Sequence, residues 1–445
     1  MNPFRIPYYH LYLLQLENYH LARFARAILK RPFPPHELRQ KIVWTAKIKS
    51  VVVLTVITSI MPISIGFMLH DILTGITIII ISIILFPAYL ILATLILWPL
   101  DYLIKKMIIA QARTRLAQFP HLKIIAIAGS YGKTTMKEMV AAIAEKHYAV
   151  LKTPDNINTP IGIARLVRKK LTPDIQIFIV EMGAYQRGDI KTLCALTPPD
   201  IAVVTGINEA HVERFGSKEN TSAAKFEIVD YAKKDALIVL NEDNELIIKN
   251  YKKHIAGRAT AFYNAHTGAA LPPLQLLGEY ARGTARGALL IGERLGIPRE
   301  QSACALAMIK PLPHRLQPII APGNILIIDD SYNGNPDGAR EAIQVLRQYA
   351  DRRKIYITPG LVEMGKQNKI IHETLGYELA RVADLVILIK NSATVHLRAG
   401  LCAALFPHKQ IREFKNALEA HRALSSILQS GDVILFQNDW PDNYN

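Results

Sequence analysis

The sequence predicts an α/β protein preceded by an N-terminal hairpin of two transmembrane helices, and three observations lead to that prediction. Two uncharged apolar runs, at residues 50–69 and 72–100, are each long enough to cross a bilayer. From about residue 120, short apolar strands alternate with helical stretches, an order that predicts a mostly parallel sheet with crossover helices. A Pro-rich segment at 311–322 interrupts the alternation and is interpreted as a linker, after which a second, Rossmann-like α/β domain begins.

The charge distribution places the chain at a membrane rather than on nucleic acid. The formal net charge is +16 over 445 residues, and basic residues cluster before the first apolar run and after the second. The positive-inside rule therefore puts both ends of the hairpin in the cytoplasm, joined by a short outer turn at His70 and Asp71. These basic flanks account for much of the net charge, and we expect them to contact anionic membrane lipid. The three scattered cysteines match no disulfide or metal spacing, as expected of a reduced cytoplasmic protein.

The predicted domains are a basic cytoplasmic arm at 1–49, the hairpin at 50–100, a central domain at 112–312 and a C-terminal domain at 313–445. Residues 8–30 mix aromatic, leucine and basic residues at helical spacing. That pattern fits either an interfacial amphipathic helix or a packed helix of a soluble subdomain. Strands are predicted at residues 124–128, 175–180, 201–205, 236–240, 325–328, 354–358, 385–389 and 433–436.

The first of these strands is followed by Gly-Ser-Tyr-Gly-Lys-Thr-Thr at 129–135 and then by helix-forming residues. A loop in this position directs backbone N–H groups and the positive helix end at one point, which suits a phosphate. Lys133 would reach the terminal phosphates of a nucleotide, and the Thr134 hydroxyl would bind Mg²⁺. The alternative is an ordinary strand-to-helix turn that contains two glycines. The order of strand, loop and helix favours a P-loop-type ATPase domain.

Three polar residues follow later elements of the same sheet. Glu181 ends the strand at 175–180, and His211 comes soon after the strand at 201–205. Ligands of parallel α/β sheets lie at the carboxyl ends of strands, so Glu181 is a candidate Mg²⁺ ligand and His211 a candidate site residue. Taken singly, a Glu at a strand end is more often a solvated residue, and a lone His is more often structural. Lys225, in a helical stretch, would by itself be an ordinary exposed lysine.

Together these motifs resemble the Mur ligases, and among them the ligases that add D-alanyl-D-alanine to the UDP-N-acetylmuramoyl tripeptide. The resemblance covers about residues 121–436. It rests on the segments 129–135, 153–158, 181–183, 208–211, 215–217, 224–228, 329–336 and 363–365, and on His372.

The resemblance implies a role for each matching residue. The predicted catalytic residues are Lys133, His211 and Lys225. The predicted ATP contacts are Gly129, Ser130, Gly132, Lys133, Thr134, Thr135, Arg315 at the terminal phosphate and Asp330 at the ribose. The predicted metal ligands are Thr134 and Glu181 for one Mg²⁺, with His211 and a carbamylated Lys225 for a second ion. The positions predicted to face the peptide substrate are Asn156 and Asn158.

The implied reaction is an ATP-dependent amide-bond formation. A peptide carboxylate is phosphorylated to an acyl phosphate, which an incoming amino acid or dipeptide then attacks through its amine. Two other interpretations keep part of this prediction. One is a polyglutamate- or cyanophycin-type ligase that acts on another carboxylate, and the other is a membrane-bound nucleotide-binding protein without catalysis.

Three departures from the family refine the expectation. Residues 1 to about 110 stand where the family has a domain that holds the UDP moiety, which suggests a lipid-linked peptide precursor at the cytoplasmic membrane face. The family's adenine-contacting stretch is replaced by residues 278–284, where Tyr280 is a candidate to stack on the purine. The last residues also differ from those of the family, which leaves the incoming amine undefined.

Overall fold

The computed structural model describes residues 5–30, 32–34, 41–69, 72–155, 157–184, 186–208, 215, 217–268, 270–332, 334–362 and 364–437. These residues form two units, one that extends to Met107 and one that begins at Ile108. The first unit is helical. Its helices are α1 (Arg5–Leu16), α2 (Leu21–Lys30), α3 (Ala46–Leu69), α4 (Ile72–Ile84) and α5 (Phe86–Ala117), whose last turns belong to the second unit.

The N-terminal segment forms two packed helices. Tyr9 and Leu14 of α1 and Phe24 of α2 are buried in one cluster with Ile48 of α3 and Leu90 of α5. This burial favours the packed helix over the purely interfacial one, because the apolar side chains of α1 and α2 are covered by the longer helices.

Among the described residues, two helices are long and apolar enough to span a membrane, but the second begins at Phe86 instead of the predicted residue 72. The apolar run is divided at Leu85, since Pro87 has no N–H to donate to the carbonyl four residues earlier. At 1.5 Å per residue, α3 is about 36 Å long and α5 about 48 Å, whereas α4 is about 20 Å. The hydrocarbon core of a bilayer is about 30 Å thick, so α4 is too short to cross it.

The second unit contains two six-stranded sheets. The strands of the central sheet run parallel in the order β2-β3-β1-β4-β5-β6. Its strands are β1 (Lys123–Ala128), β2 (Val150–Lys152), β3 (Ile177–Glu181), β4 (Ile201–Val204), β5 (Leu237–Asn241) and β6 (Thr260–Tyr263). The helices around it are α6 (Lys133–Ala144), α7 (Pro160–Lys170), α8 (Asp189–Leu196), α9 (Lys218–Asp230), α10 (Glu245–Asn250), α11 (Glu279–Arg294) and α12 (Arg299–Ala307).

The second sheet has the order β11-β10-β9-β12-β8-β7, with β7 antiparallel to β8 and the other pairs parallel. Its strands are β7 (Gln317–Ala321), β8 (Ile325–Asp330), β9 (Lys354–Thr358), β10 (Leu385–Ile389), β11 (Ile411–Phe414) and β12 (Val433–Gln437). Its helices are α13 (Pro336–Arg347), α14 (Asn368–Leu379), α15 (Thr394–Ala403) and α16 (Ala417–Ile427). Part of the Pro-rich segment interpreted as a linker is therefore an edge strand, β7, where Pro318 needs no N–H for a ladder on its open side.

The strand order determines where a site can form. β1 lies between β3 and β4, and apolar clusters cover both faces of the central sheet. The carboxyl ends of β1, β3 and β4 consequently meet at one edge, at the point where the chain order changes direction. In open parallel sheets, ligands bind outside the carboxyl ends of the strands at such a point.

Candidate active site

The loop that joins β1 to α6 has the geometry of a phosphate-binding loop. Gly132 caps the N-terminus of α6 in the left-handed conformation, with φ 77° and ψ −5°, which glycine adopts without steric cost. The Lys133 Nζ donates a hydrogen bond to the Gly129 carbonyl at 2.9 Å. The Ser130 N–H donates to the Gly206 carbonyl at 2.7 Å, so the loop is fastened to the segment after β4. Its lysine lies at a helix N-terminus, where an anion is favoured.

A chain of hydrogen bonds joins this loop to both sheets. The Thr134 hydroxyl donates to Oε2 of Glu181 at 3.0 Å and accepts from Nη2 of Arg315 at 3.1 Å. Glu181 is the last residue of β3, and Arg315 lies just ahead of β7. Burial lowers the pKa of the Lys133 amine, while the negative charge of Glu181 opposes that shift. The structure thus brings together the predicted lysine, hydroxyl, carboxylate and arginine.

A cavity of about 100 Å³ lies beside the loop. Asn158, predicted to face the peptide substrate, is part of the cavity wall. Gly129 and Thr135 belong to the loop but do not line the cavity. The lining residues are Ser130, Tyr131, Gly132, Lys133, Thr134, Asp155, Asn158, Glu181, Arg315, Tyr332 and Asn335.

Asn208 connects the central sheet to the second sheet. Its buried Nδ2 donates to Oδ1 of Asn335 at 2.8 Å and to Oδ2 of Asp337 at 3.0 Å. The Asn335 side chain in turn accepts the Gly338 N–H at 3.0 Å and caps α13. The segment after β4 is therefore hydrogen-bonded to a helix N-terminus of the other sheet, beside the cavity.

Tyr280 lies beneath the phosphate loop. Its ring meets that of Tyr131 edge-on, with 5.1 Å between centroids and 62° between planes. A Cβ atom at Gly132 would lie 1.3 Å from the Tyr280 hydroxyl oxygen, which shows how closely that hydroxyl approaches the loop. Burial raises the pKa of Tyr280 to about 12. Because the loop itself contacts this ring, the structure gives no support to the expectation that Tyr280 stacks on a purine.

Lys225 is buried in α9 with 3% of its surface exposed, contrary to the exposed lysine that the isolated sequence suggested. Burial, followed by the positive charge of Lys133, lowers its pKa from 10.5 to about 7. Its Nζ lies 5.5 Å from the ring centroid of Phe215. An amine with this pKa is substantially neutral near pH 7, and the neutral form is the one that reacts with CO₂ to give a carbamate.

Asp330 ends β8 and is partly buried near the charge of Arg315. Its Oδ1 accepts the Leu316 N–H at 3.2 Å, so the carboxylate holds the backbone next to the arginine. Burial raises its pKa from 3.8 to about 7, although the Leu316 hydrogen bond and the Arg315 charge act in the opposite direction. A ribose contact for Asp330 stays a prediction.

The predicted residues His211 and Asn156 lie outside the described residues. Within the described part of the chain, no group of three or more His, Cys, Asp or Glu side chains is placed to hold a metal ion. Thr134 and Glu181 nevertheless supply a hydroxyl and a carboxylate oxygen 3.0 Å apart. Because Mg²⁺ takes oxygen ligands and commonly one or two from the protein, this pair fits one ion beside a phosphate.

Four residues that line the cavity were not among the sequence-predicted site residues: Tyr131, Asp155, Tyr332 and Asn335. Lys137, which pairs with Asp155, was not predicted either. Lys137 is four positions after Lys133 in α6, which places both on one helix face, and this spacing is the signal that could have identified it. The others occur inside segments that carried the family resemblance, but only the packing of the two sheets shows which side chains enter the cavity.

Comparison with known protein families identifies both halves of the second unit. The profile described as the Mur ligase middle domain matches residues 127–272, and the one described as the Mur ligase, glutamate ligase domain matches residues 314–437. A UDP-N-acetylmuramoyl-tripeptide–D-alanyl-D-alanine ligase from Escherichia coli is 29% identical over an alignment of 306 residues, and the match covers 63% of this chain and 67% of that protein. The protein of the same name from Bacillus subtilis is 27% identical over 343 residues, 71% of this chain and 72% of that protein.

Solved structures agree with these similarities. The crystal structure of the MurF ligase from Thermotoga maritima in complex with ADP aligns with a TM-score of 0.66 and 25% identity, covering 75% of this chain and 80% of that one. A MurF structure from Acinetobacter baumannii aligns with a TM-score of 0.68 and 23% identity over 75% of this chain and 77% of that one, and shares the fold.

Proposed function

This chain belongs to the Mur ligase family of ATP-dependent amide-forming ligases, and we propose that it acts at the membrane on a cell-wall peptide precursor. The observation that supports this proposal most directly is the meeting of Lys133, Thr134 and Glu181 with Arg315 at one cavity. Two positive side chains, Lys133 from the part of the chain with the central sheet and Arg315 from the part with the second sheet, would thus both lie next to a bound phosphate. A phosphoryl transfer requires positive charge of this kind.

The chemistry follows from the charges of these residues. A peptide carboxylate is a poor electrophile, so its oxygen first attacks the terminal phosphorus of ATP, giving an acyl phosphate and ADP. Lys133 and Arg315 offset the repulsion between the carboxylate and the triphosphate and stabilise the transferred group. Mg²⁺, held by Thr134 and Glu181, would neutralise phosphate charge. The incoming amine then attacks the acyl carbon, the C–O bond to phosphate breaks, and the nitrogen loses a proton to give the amide.

The substrates are proposed from the relatives and from the first unit. The relatives are named for adding D-alanyl-D-alanine to a UDP-N-acetylmuramoyl tripeptide, so D-alanyl-D-alanine is the first amine to test. Asn158, in the wall of the cavity, is proposed to contact the peptide. We propose a lipid-linked form of the muramoyl peptide as the acceptor, because the chain carries apolar helices that would keep the site near a bilayer.

Membrane anchoring is supported by how the apolar helices of the first unit are covered. In the most apolar stretch of α3 only 17% of the residues are buried, and the share is the same in the most apolar stretch of α5. Val53, Ile57 and Trp98, for example, are exposed by 57%, 60% and 63%. Side chains of this kind would be unfavourable in water at about 25 cal/mol per Å², whereas lipid tails would cover them. Both ends of the apolar segment would then lie on the cytoplasmic side.

The proposal can be tested with the full-length protein purified in detergent. The protein is incubated with Mg²⁺-ATP, D-alanyl-D-alanine or single amino acids, and either a UDP-muramoyl tripeptide or a lipid-linked muramoyl peptide. Mass spectrometry identifies the amide product, and ADP release is measured with each substrate omitted in turn. We expect ADP release to require both the carboxylate and the amine, and the lipid-linked acceptor to be preferred.

Two results would count against parts of the proposal. Equal use of the soluble and lipid-linked acceptors would remove the lipid-linked substrate but leave the ligase. ADP release that needs neither a muramoyl peptide nor an amine would remove the cell-wall ligase itself. A Lys133→Ala variant, purified in parallel, controls for contaminating ATPases.

A further inference from the structure

Lys137 is a charged residue beside the site, in contact with two of its carboxylates, and the proposed reaction does not use it. It follows Lys133 by one turn of α6, but the two amines have different partners. Lys133 donates to a backbone carbonyl, whereas the Lys137 Nζ lies 3.3 Å from Oδ1 of Asp155, 3.4 Å from Oε1 of Glu138 and 3.6 Å from Oε2 of Glu181. The Lys137 side chain is completely buried. An unpaired ammonium would be strongly unfavourable at a buried position, so the three surrounding carboxylates are what allow Lys137 to be buried.

Two of these carboxylates belong to different parts of the site. Glu181 receives the Thr134 hydroxyl and is the proposed metal ligand. Asp155 lies in the segment 153–158, which also contains Asn158 and is proposed to face the peptide, and its side chain is 75% exposed. Both line the cavity. Since an ammonium has three N–H donors, a single lysine can hold the two acids at the same time.

The same segment is hydrogen-bonded to the last residue of β3 and to the turn that follows it. The Glu181 N–H donates to the Thr153 hydroxyl at 3.0 Å, and the Gly183 N–H donates to the Asn158 carbonyl at 3.0 Å. These bonds fasten the two ends of the segment, while Lys137 reaches Asp155 between them. A displacement of Glu181 would therefore be transmitted to the segment both through the Glu181 N–H hydrogen bond and through Lys137.

We propose that Lys137 is a positioning residue that couples the ATP side of the site to the peptide-facing segment 153–158. When Mg²⁺-ATP engages Glu181, Lys137 holds Asp155 and thereby orders the segment that receives the peptide carboxylate. The inference rests on the proposed function, since the roles of Glu181 and of the segment are taken from it. Its physical basis is that like charges held close repel, so without the ammonium the carboxylates would separate and the segment would shift.

The test measures order in the segment and needs no peptide substrate. Hydrogen–deuterium exchange of peptides covering residues 150–160 is followed in the full-length protein, with and without saturating Mg²⁺-ATP. In the wild-type protein we expect ATP to slow this exchange by about tenfold, the effect of roughly 1.4 kcal/mol on local opening. In Lys137→Met, calorimetry should still detect ATP binding, but the slowing should be lost. Lys137→Arg, which keeps the charge, should retain part of it.

Two further variants keep the test decisive. Asp155→Asn removes the negative charge that the Lys137 ammonium holds, with little risk to folding because the side chain is exposed, and it should also abolish the slowing. Lys152→Met is the matched control, because in the described part of the chain Lys152 forms an ion pair with Glu138 but not with Asp155 or Glu181. It should leave the slowing intact.

Several outcomes would overturn the inference. They are no effect of ATP on the wild-type segment, persistent slowing in Lys137→Met or Asp155→Asn at saturating ATP, or equal loss in Lys152→Met. With an identified acceptor, the inference also expects the KM for the acceptor to rise about tenfold in Asp155→Asn, with kcat nearly unchanged. Because the exchange readout uses ATP alone, a wrong assignment of the peptide or amine would not affect it.

Discussion

Substitution of Gly132 by alanine tests the geometry of the phosphate loop most severely. Two separate effects are expected. Gly132 has φ 77°, and a residue with a Cβ costs about 1–2 kcal/mol in that conformation. The new Cβ would also lie 1.3 Å from the Tyr280 hydroxyl oxygen. An ordinary non-bonded contact is about 3.5 Å, so the loop and the ring would have to separate by roughly 2 Å.

A displacement of that size would move the backbone N–H groups away from the phosphates. A misplacement of about 1 Å can lower a rate by about 100-fold, so Gly132→Ala should lose at least that much of kcat/KM for ATP. The matched control is Gly188→Ala, because Gly188 also caps a helix with φ 92° but has no described atom within 4 Å of a new Cβ. It should lose about 1–2 kcal/mol of stability and little activity.

The double variant Gly132→Ala/Tyr280→Leu separates strain from collision. Leucine ends at its δ carbons, so it removes the Cζ and hydroxyl atoms that lie 2.2 Å and 1.3 Å from the added Cβ. ATP binding by calorimetry and steady-state kcat/KM should both recover to within about tenfold of Tyr280→Leu alone. If Gly132→Ala behaved like the Gly188 control, or if removing the ring gave no recovery, the close packing of Tyr280 under the loop would be refuted.

Three further predictions concern single charged residues. Lys133→Ala should lower kcat/KM for ATP by at least about 100-fold in a folded protein, because it removes a positive charge from the phosphates, and near-normal turnover would contradict the loop assignment. Lys225→Ala should be inactive and regain part of its activity with added acetate or formate. At pH 7, about half of the wild-type amine is neutral, against roughly 1 in 3,000 for a lysine with a pKa of 10.5; an active variant would make Lys225 a bystander. For Asp330, the folded pKa of about 7 lies above the unfolded value of 3.8, so the unfolding free energy falls as the pH rises between these values and is constant above them. Asp330→Asn should reduce this fall by at most about 3 kcal/mol between pH 5 and pH 8, measured by thermal unfolding at the two pH values, and identical pH profiles for both proteins would contradict the assignment.

The strands that the sequence predicted are the buried ones. Those at Lys354–Thr358 and Leu385–Ile389 have the predicted bounds, and the other predicted strands differ by one or two residues at one or both ends. The four strands that were not predicted, β2, β6, β7 and β11, are the edge strands of the two sheets. Edge strands are only partly covered, so their sequences lack the continuous apolar run that identifies a buried parallel strand.

The candidate site was partly predictable for a related reason. Lys133, Thr134 and Glu181 could be grouped because the ends of parallel strands share one edge, whichever side chains surround them. Lys225 could be grouped with them only through the family resemblance, since its burial depends on how α9 packs. Lys137 went unrecognised, because a lysine in a helix is usually solvated unless tertiary packing closes over it.

The sequence by itself determined the order of the elements, the phosphate loop and the apolar character of the first unit. These are local properties of hydrophobic pattern, glycine placement and charge. Only the tertiary structure decided that Arg315 meets Thr134, that Asn208 meets the start of α13, and that Tyr280 lies under Gly132. Each of these contacts joins residues far apart in the chain, and their distances follow from the packing of two separate sheets, which no local pattern encodes.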